Sequence, residues 1–258
     1  MNIKNKIKVI SGAGNTFGVI LENESTLQIS NRPEWVIKIC SQINVDGFIF
    51  IQKISNDHFG WDFYNNDGSI AEMCGNATRC VGYYIQHFLN NFTNHFIQLQ
   101  TIAGPIQVKS LGSDIFQVRM TPILEKIHTM YFWCDTGVPH IVIEIDKFEK
   151  YKELKQWAKQ LRWDPSFLPT GTNVTLIHLG NEKDCLQAVS YERGVEDFTS
   201  ACGTGAMAAA YYNYKKRNSL NSLVEMPGGI LKMNLQDLNS PLMTGTAELI
   251  HELELKIE

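Results

Sequence analysis

Two short stretches carry the residue types that do chemistry. Residues 72–80 read EMCGNATRC and residues 200–206 read SACGTGA. In each, glycine follows cysteine where a helix is expected to begin. After Gly75 the chain can run as a helix to about Leu89, which puts Cys74 at its N-terminus. Cys202, followed by Gly203, Thr204 and Gly205, repeats the arrangement. The first turn of a helix leaves N–H groups without intrahelical partners and carries partial positive charge. Such a place lowers a thiol's pKa from about 8.5 and favours the thiolate. It also receives a carboxylate, and glycine lets a ligand approach the backbone closely.

Two activated thiols with an anion site suit inversion at the α-carbon of an amino acid. One thiolate removes the proton from one face, and an opposed thiol returns a proton to the other. Two helix N-termini stabilise the charge developing at the α-carboxylate, with no cofactor needed. Cys80 falls on a different helix face from Cys74 at about 100° per residue. It is expected to be a core residue, as are Cys40, Cys134 and Cys185. The six cysteines are scattered, with no CxxC pair. Neither a metal site nor a disulfide framework is therefore expected.

The elements that must hold these motifs are mostly short strands with a few helices between them. HFIQLQT, DIFQVRM and HELELKIE alternate as strands. RPEWVIKICSQI opens with Pro33 as a helix does. YKELKQWAKQL places Leu154, Trp157, Ala158 and Leu161 on one helical stripe. GAGNTFG is spaced GxGxxxG and runs into a strand, which argues against a dinucleotide loop. The chain also resembles itself. CGNATRCVGYY from Cys74 aligns with CGTGAMAAAYY from Cys202, with Cys, Gly and both tyrosines at equal offsets. A strand, a glycine turn and a second strand follow each: IQLQTIAGPIQVK, then SLVEMPGGILKM. This predicts two halves of similar fold. The first is 1–122 with Cys74, joined by a C-terminal strand near 250–258. The second is 123–249 with Cys202.

The 258 residues are 44% hydrophobic and 19% charged, with a net charge of -4 and no block of like charge. Neither a nucleic-acid nor a membrane-surface partner is expected. The start, MNIKNKIKVISGAGN, lacks the apolar core of a signal peptide. No run of about 18 apolar residues exists. A soluble cytoplasmic protein with a small-molecule substrate is expected.

GAGNTF, FYNNDGSIAEMCGNATRC, DTGVPH, TNV and ERGVEDFTSACGTGA stand in this order along nearly the whole chain. On these residues the chain resembles the diaminopimelate epimerase family. Its members are cofactor-independent two-cysteine enzymes of lysine and peptidoglycan precursor synthesis that interconvert LL- and meso-diaminopimelate. The resemblance implies an α/β fold: two pseudo-symmetric halves of mixed β-sheet, each curled around a central helix, with the active site in the cleft between them. It implies Cys74 and Cys202 as the two bases, and Gly75, Asn76, Gly203 and Thr204 around the reacting carboxylate. Asn15, Asn65, Asn173 and Arg193 would fix the far end of the substrate. His140 and Glu192 would support binding and proton transfer beside the reacting centre. No metal or other cofactor is implied, and a homodimer is. Taken alone, His140 reads as an ordinary buried histidine, Arg193 as a surface charge, and the three asparagines as turn residues.

Three positions depart from the family pattern. Val138 stands where the family commonly has a substrate-contacting Asn before Pro-His, Thr16 replaces an acid, and Phe198 replaces a Glu. These bear on substrate choice more than on reaction type. The alternative is a related two-cysteine racemase or epimerase acting on another amino acid. Proline racemases typically carry His after the first Cys-Gly; Asn76 and the ERG at 192–194 favour the diaminopimelate branch. From other classes, a thiol redox protein would cycle a stable disulfide, and a noncatalytic binding module would hold its ligand without exchanging its α-proton.

Overall fold

Apolar runs such as KIKVISG and GFIFIQK have buried side chains at successive positions, as strands covered on both faces do. The computed structural model of the protein describes residues 6–22, 29–71, 73–89 and 95–254. The first five residues, Glu72 of the first cysteine motif and the last four residues of HELELKIE lie outside the described residues.

The chain divides into two units, residues 1–118 with 245–258, and residues 119–244. The first contains β1 (Lys6–Gly12), β2 (Asn15–Leu21), α1 (Arg32–Ile43), β3 (Gly47–Lys53), β4 (His58–Asn65), α2 (Gly75–Phe88), β5 (Ile97–Thr101), β6 (Gly104–Ser110) and β7 (Ile115–Arg119). From the end of the chain comes β16 (Glu248–Glu254), which pairs antiparallel with β1. The sheet order is β16-β1-β2-β3-β4-β5-β6-β7. Pairs β2–β3 and β4–β5 are parallel, each bridged by a helix, as a parallel crossover requires. Helix α2 packs on β1 and β2 and also on β6, so the sheet curls around it. Every residue of α2 from Gly75 to Ile85 is buried, as befits a helix enclosed on all sides. Helix α1 lies outside, its Val36, Ile39 and Cys40 packed on Ile7, Val9, Phe48 and Phe50. Asn31 caps it, accepting from the Glu34 amide at 3.5 Å, and Asn44 ends it at φ 54°.

The second unit contains β8 (Leu124–Lys126), β9 (Phe132–Asp135), β10 (Pro139–Glu144), α3 (Lys155–Arg162), β11 (Asn173–Leu179), β12 (Cys185–Tyr191), α4 (Gly203–Arg217), β13 (Asn221–Met226), β14 (Gly229–Asn234) and β15 (Leu242–Thr246). Its sheet runs β15-β14-β13-β12-β11-β10-β9-β8. Here β10–β11 and β12–β13 are the parallel pairs, bridged by α3 and α4. Helix α4 packs on β9, β10, β11, β12, β13 and β14. The order of elements therefore repeats between the units: α1 corresponds to α3, and α2 to α4.

One expected helix differs. Residues Phe148–Leu154 form 3-10 turns, and α3 begins only at Lys155. Its inward side is Ala158, Leu161 and the buried Arg162, packed on Ile141, Val174 and Val189. Trp157 precedes Ala158 by one residue, about 100° around, and is 38% exposed. Cys185, expected in the core, is half-buried and donates to Glu182 Oε2 at 3.3 Å.

Candidate active site

In the first unit Cys74 is the N-cap of α2, with extended backbone at φ -147°, ψ 122°. It is half-buried. Its carbonyl accepts from the Thr78 amide and the Thr78 hydroxyl, both at 2.9 Å, which closes the first turn. Asn76 is buried within that turn. Its Nδ2 donates to Asn15 Oδ1 at 3.0 Å, and its Oδ1 accepts from Arg79 at 2.9 Å. Asn15 opens β2 just after the turn at Ala13 and Gly14, which have φ of 55° and 85°. A Cβ at Gly12 would lie 2.8 Å from the Asn76 carbonyl oxygen, so glycine is what lets this hairpin touch the helix. Asn65 ends β4 opposite Gly47, and Gly47 is opposite Phe17 of β2, so the register sets Asn65 at the same end of the sheet as Asn15. Its Nδ2 donates to Ser69 Oγ at 3.0 Å. Thr16, where the family has an acid, donates from its amide and hydroxyl to Asp46 Oδ2, at 2.8 and 3.2 Å. A carboxylate there would face Asp46.

In the second unit Cys202 is the N-cap of α4 and is 4% exposed. Its Sγ accepts from the Gly205 amide at 3.4 Å and lies 3.4 Å from Thr204 Oγ1. Burial and, after it, the Glu192 carboxylate push this thiol well up, against smaller lowering by Thr204 and the Gly205 amide. The helix N-terminus is expected to lower it; a dipole contributes up to about 2 kcal/mol at a buried terminus, roughly 1.5 pH units, whereas full burial can shift an ionisable group by about 3–5. Glu192 is half-buried; its carboxyl accepts from the Thr199 hydroxyl and neighbours the Cys202 thiol. Burial raises it, and those two neighbours lower it.

His140 is fully buried on β10 and pairs in register with Asn173 of β11. Its Nδ1 lies 2.8 Å from Thr175 Oγ1, and its Nε2 lies 3.0 Å from Thr204 Oγ1 and 3.3 Å from Asn173 Nδ2. The Arg193 amide donates to Asn173 Oδ1 at 2.7 Å, which turns the Asn173 amino group toward the ring. Nε2 is then an acceptor, and the proton resides on Nδ1, donating to Thr175. Burial, and secondarily Arg193, push His140 down to about 3, so the ring is neutral at pH 7. Thr175 Oγ1 is 3.0 Å from Ser190 Oγ, completing a row from Thr204 through His140 to Ser190. The Arg193 side chain is exposed on the turn after β12. Phe198, in place of the family's Glu, packs edge-on against Tyr151 and Tyr191, with centroids 5.3 and 5.6 Å away. Val138 is half-buried in the turn between β9 and β10, and its carbonyl accepts from Thr136 at 3.2 Å.

The structure thus gathers Cys74, Gly75, Asn76 and Asn15 in one unit. In the other it gathers Cys202, Gly203, Thr204, His140, Asn173, Glu192 and the Arg193 backbone. Asn65 shares a sheet end with Asn15. Thr175, Ser190, Thr199 and Arg79 were not picked out from the sequence. The two-residue period of a strand holds a faint signal for two of them: Thr175 shares a face with Asn173, and Ser190 with Glu192.

Two like units, each a curled mixed sheet around a buried helix, make up a fold shared with solved structures. The chain is similar to a phenazine biosynthesis protein of Bacillus anthracis, with 13% identity, a TM-score of 0.77, and 98% of this chain and 99% of that one covered. It is also similar to a hydroxyproline epimerase of Agrobacterium vitis, solved with trans-4-hydroxy-L-proline bound, with 12% identity, a TM-score of 0.69, and 97% and 90% covered. At these identities the likeness is one of fold. The family model for diaminopimelate epimerase matches residues 8–123 and 132–250. The chain is 31% identical to the diaminopimelate epimerase of Aquifex aeolicus (strain VF5), over 96% of this chain and 97% of that one. It is 32% identical to that of Hydrogenobaculum sp. (strain Y04AAS1), over 88% and 90%. The chain belongs to the diaminopimelate epimerase family.

Proposed function

We propose that the protein epimerises diaminopimelate, interconverting its LL and meso forms by a thiolate and a thiol, without a cofactor. One observation carries this reading beyond family membership: each unit caps its enclosed helix with a cysteine, and Cys202 is buried beside Thr204 and Glu192, where burial and the neighbouring carboxylate both favour its thiol form. A Cys74 thiolate takes the α-proton, the C–H bond breaks, and negative charge develops toward the α-carboxylate. The Cys202 S–H gives its proton to the opposite face of the carbon and becomes a thiolate. The reverse reaction or exchange with solvent restores the pair.

Gly75, Asn76, Gly203 and Thr204 present first-turn N–H groups to the reacting carboxylate. Arg193 takes the far carboxylate with its forked guanidinium, and the family resemblance assigns Asn15 and Asn65 to the same end of the substrate. Asn173, whose amide is engaged by the Arg193 backbone and by His140, contributes by holding that turn. Neutral His140 holds Thr204, and Glu192 keeps the proton on Cys202. A cytoplasmic homodimer is the assembly the family resemblance supports. Among the described residues no helix is long and apolar enough to cross a membrane.

The test is incubation with LL-diaminopimelate and a panel of free amino acids in D₂O, with mass spectrometry of resolved stereoisomers at low conversion. Early product carrying deuterium at the inverted carbon, with recovered substrate unlabelled, is expected. Racemisation of another amino acid alone would move the substrate to the alternative reading. Binding without α-proton exchange would end the enzymatic reading.

A further inference from the structure

Arg79 is a charged side chain with no measurable exposure. It springs from the second turn of α2 and folds back toward the N-terminus of the helix. Its guanidinium donates to the Gly75 carbonyl at 3.3 Å, to Asn76 Oδ1 at 2.9 Å and, through Nε, to the Thr246 carbonyl at 3.2 Å. Burying a cation is costly unless it is paired and hydrogen-bonded.

We propose that Arg79 is the positioning residue of the first unit's thiol: it orients the Asn76 carboxamide and sets a fixed positive charge beneath the Cys74 end of α2, so that Cys74 rests as the thiolate. The inference rests on the proposed reaction and says which thiol begins as its base.

Three observations support it. Asn76 can turn its amino group to Asn15 only if its oxygen faces inward, and Arg79 is the donor that receives that oxygen. Burial pushes the guanidinium down, and the sulfurs of Cys80 and Cys74 pull it back, so sulfur and guanidinium feel each other's charge. Arginine keeps its proton in proteins, so the coupling falls on the sulfurs. Of the two, Cys80 cannot use it: its own burial raises it strongly, and its Sγ donates to the Ile10 carbonyl at 3.8 Å. Half-buried Cys74 can. Among the described residues, the other charged groups packed around α2 are engaged away from Cys74. Lys8 on β1 pairs with Glu252 at 2.6 Å and lies over the Phe88 ring. His87, in the last turn, pairs with Asp114 at 2.7 Å, and Tyr83 feels Asp114 and Glu248. The two units thereby differ in sign: a buried cation at the Cys74 helix, and a carboxylate at Cys202.

The experiment is carboxamidomethylation of the whole protein with iodoacetamide from pH 5 to 10, reading Cys74 by peptide mass mapping, with Cys185 as the internal reference. The measured quantity is the midpoint of rate against pH, which does not depend on access. In Arg79→Met the Cys74 midpoint should rise by about one pH unit or more, roughly tenfold less reaction at pH 7. Cys185 should not move. Arg79→Lys keeps the charge and loses the fork. It should restore most of the midpoint while kcat/KM stays low, because Asn76 is no longer held. A folded Arg79→Met protein with the parent's Cys74 midpoint overturns the proposal. If neither variant folds, the parent decides. Its native Cys74 midpoint should lie below that in urea, and one equal or higher overturns the proposal. A low Cys74 midpoint in a protein that leaves diaminopimelate untouched would sink the proposed reaction and leave this inference standing.

Discussion

The Thr204 hydroxyl lies 3.0 Å from His140 Nε2 and 3.4 Å from Cys202 Sγ, so one side chain joins a buried neutral ring to a candidate acid. It has a single proton to give. While Cys202 is a thiol, the hydroxyl donates to Nε2. Once Cys202 becomes a thiolate, it can donate to sulfur instead. Thr204→Val keeps the shape and removes both options. Nε2 keeps its donor from Asn173 Nδ2, so the loss is that of one hydrogen bond, about 0.5–1.5 kcal/mol. The expected outcome is a loss of this size in urea melts, with kcat falling tenfold or more. Thr204→Ser should keep most of both. A valine enzyme with the parent's kcat would show the hydroxyl to be structural.

His140 also predicts how stability follows pH. Its value is about 3 in the folded protein against 6.5 ordinarily. Between those values the unfolded chain binds a proton that the folded chain does not. The contribution is therefore fully present above about 6.5 and is lost as pH falls toward 3. The slope approaches 1.4 kcal/mol per pH unit. Urea melts between pH 7.5 and 5 should show it, and His140→Asn should be less stable at pH 7.5 but flatter across that window. Parallel slopes would mean that His140 takes up its proton while folded.

The sequence made the two helix starts legible because their cause is local. A Cys-Gly ahead of small residues marks a cap, and the repeat of that pattern marks two halves. Pro33 announced α1 in the same way. The setting of Cys202 was hidden for the opposite reason. His140 meets Asn173 through a parallel strand pairing, and Glu192 reaches Cys202 by a turn that folds back after β12. No local spacing encodes either contact. The helix dipole could be read from sequence, but the burial that outweighs it could not. Trp157 was misjudged because a short helix has few positions to fix its inward face, which here runs through Ala158, Leu161 and Arg162.

Glu192 should govern the alkaline side of the reaction. Its negative charge is second to burial among the causes that hold the Cys202 proton. In Glu192→Gln that charge is gone, so Cys202 ionises at lower pH. Loss of the thiol acid defines the alkaline limb of a bell-shaped profile. That limb should move to lower pH in the variant, with the acid limb little changed. An alkaline limb left in place would assign it to another group.

The turn that carries Arg193 is tied to both ends of α3. Arg162, 3% exposed, reaches Glu196 Oε1 at 3.3 Å and the Thr170 carbonyl at 3.1 Å. Lys155 reaches Asp197 at 2.5 Å in an exposed pair. Arg162→Met would leave the Glu196 carboxylate partly enclosed without its cation. The expected cost is roughly 2 kcal/mol, less than for a fully enclosed pair because Glu196 is a third exposed. With the Arg193 turn loosened, KM should rise several-fold more than kcat falls. Lys155→Met, at the exposed end, should change stability by about 0.5 kcal/mol or less. Equal effects from both variants would show that burial does not distinguish the ties.

Gly205 sets two effects of similar size against each other. It lies within α4, where alanine is favoured over glycine by about 1 kcal/mol. A Cβ there, however, would lie 2.0 Å from Ser190 Oγ and 3.1 Å from Ser190 Cβ. Overpacking of this kind costs about 1–3 kcal/mol, so Gly205→Ala should be neutral to about 2 kcal/mol less stable. Activity should suffer more than stability, because the Gly205 amide donates to Cys202 Sγ and any shift of this turn moves the thiol. Ser190→Ala removes the oxygen at 2.0 Å while keeping the strand residue. The double variant should regain the stability lost by Gly205→Ala and a large part of its kcat. Ser190→Ala alone, which only ends the row at Thr175, should lose about 1 kcal/mol. A double variant no more active than Gly205→Ala would show that crowding against β12 is not what glycine prevents.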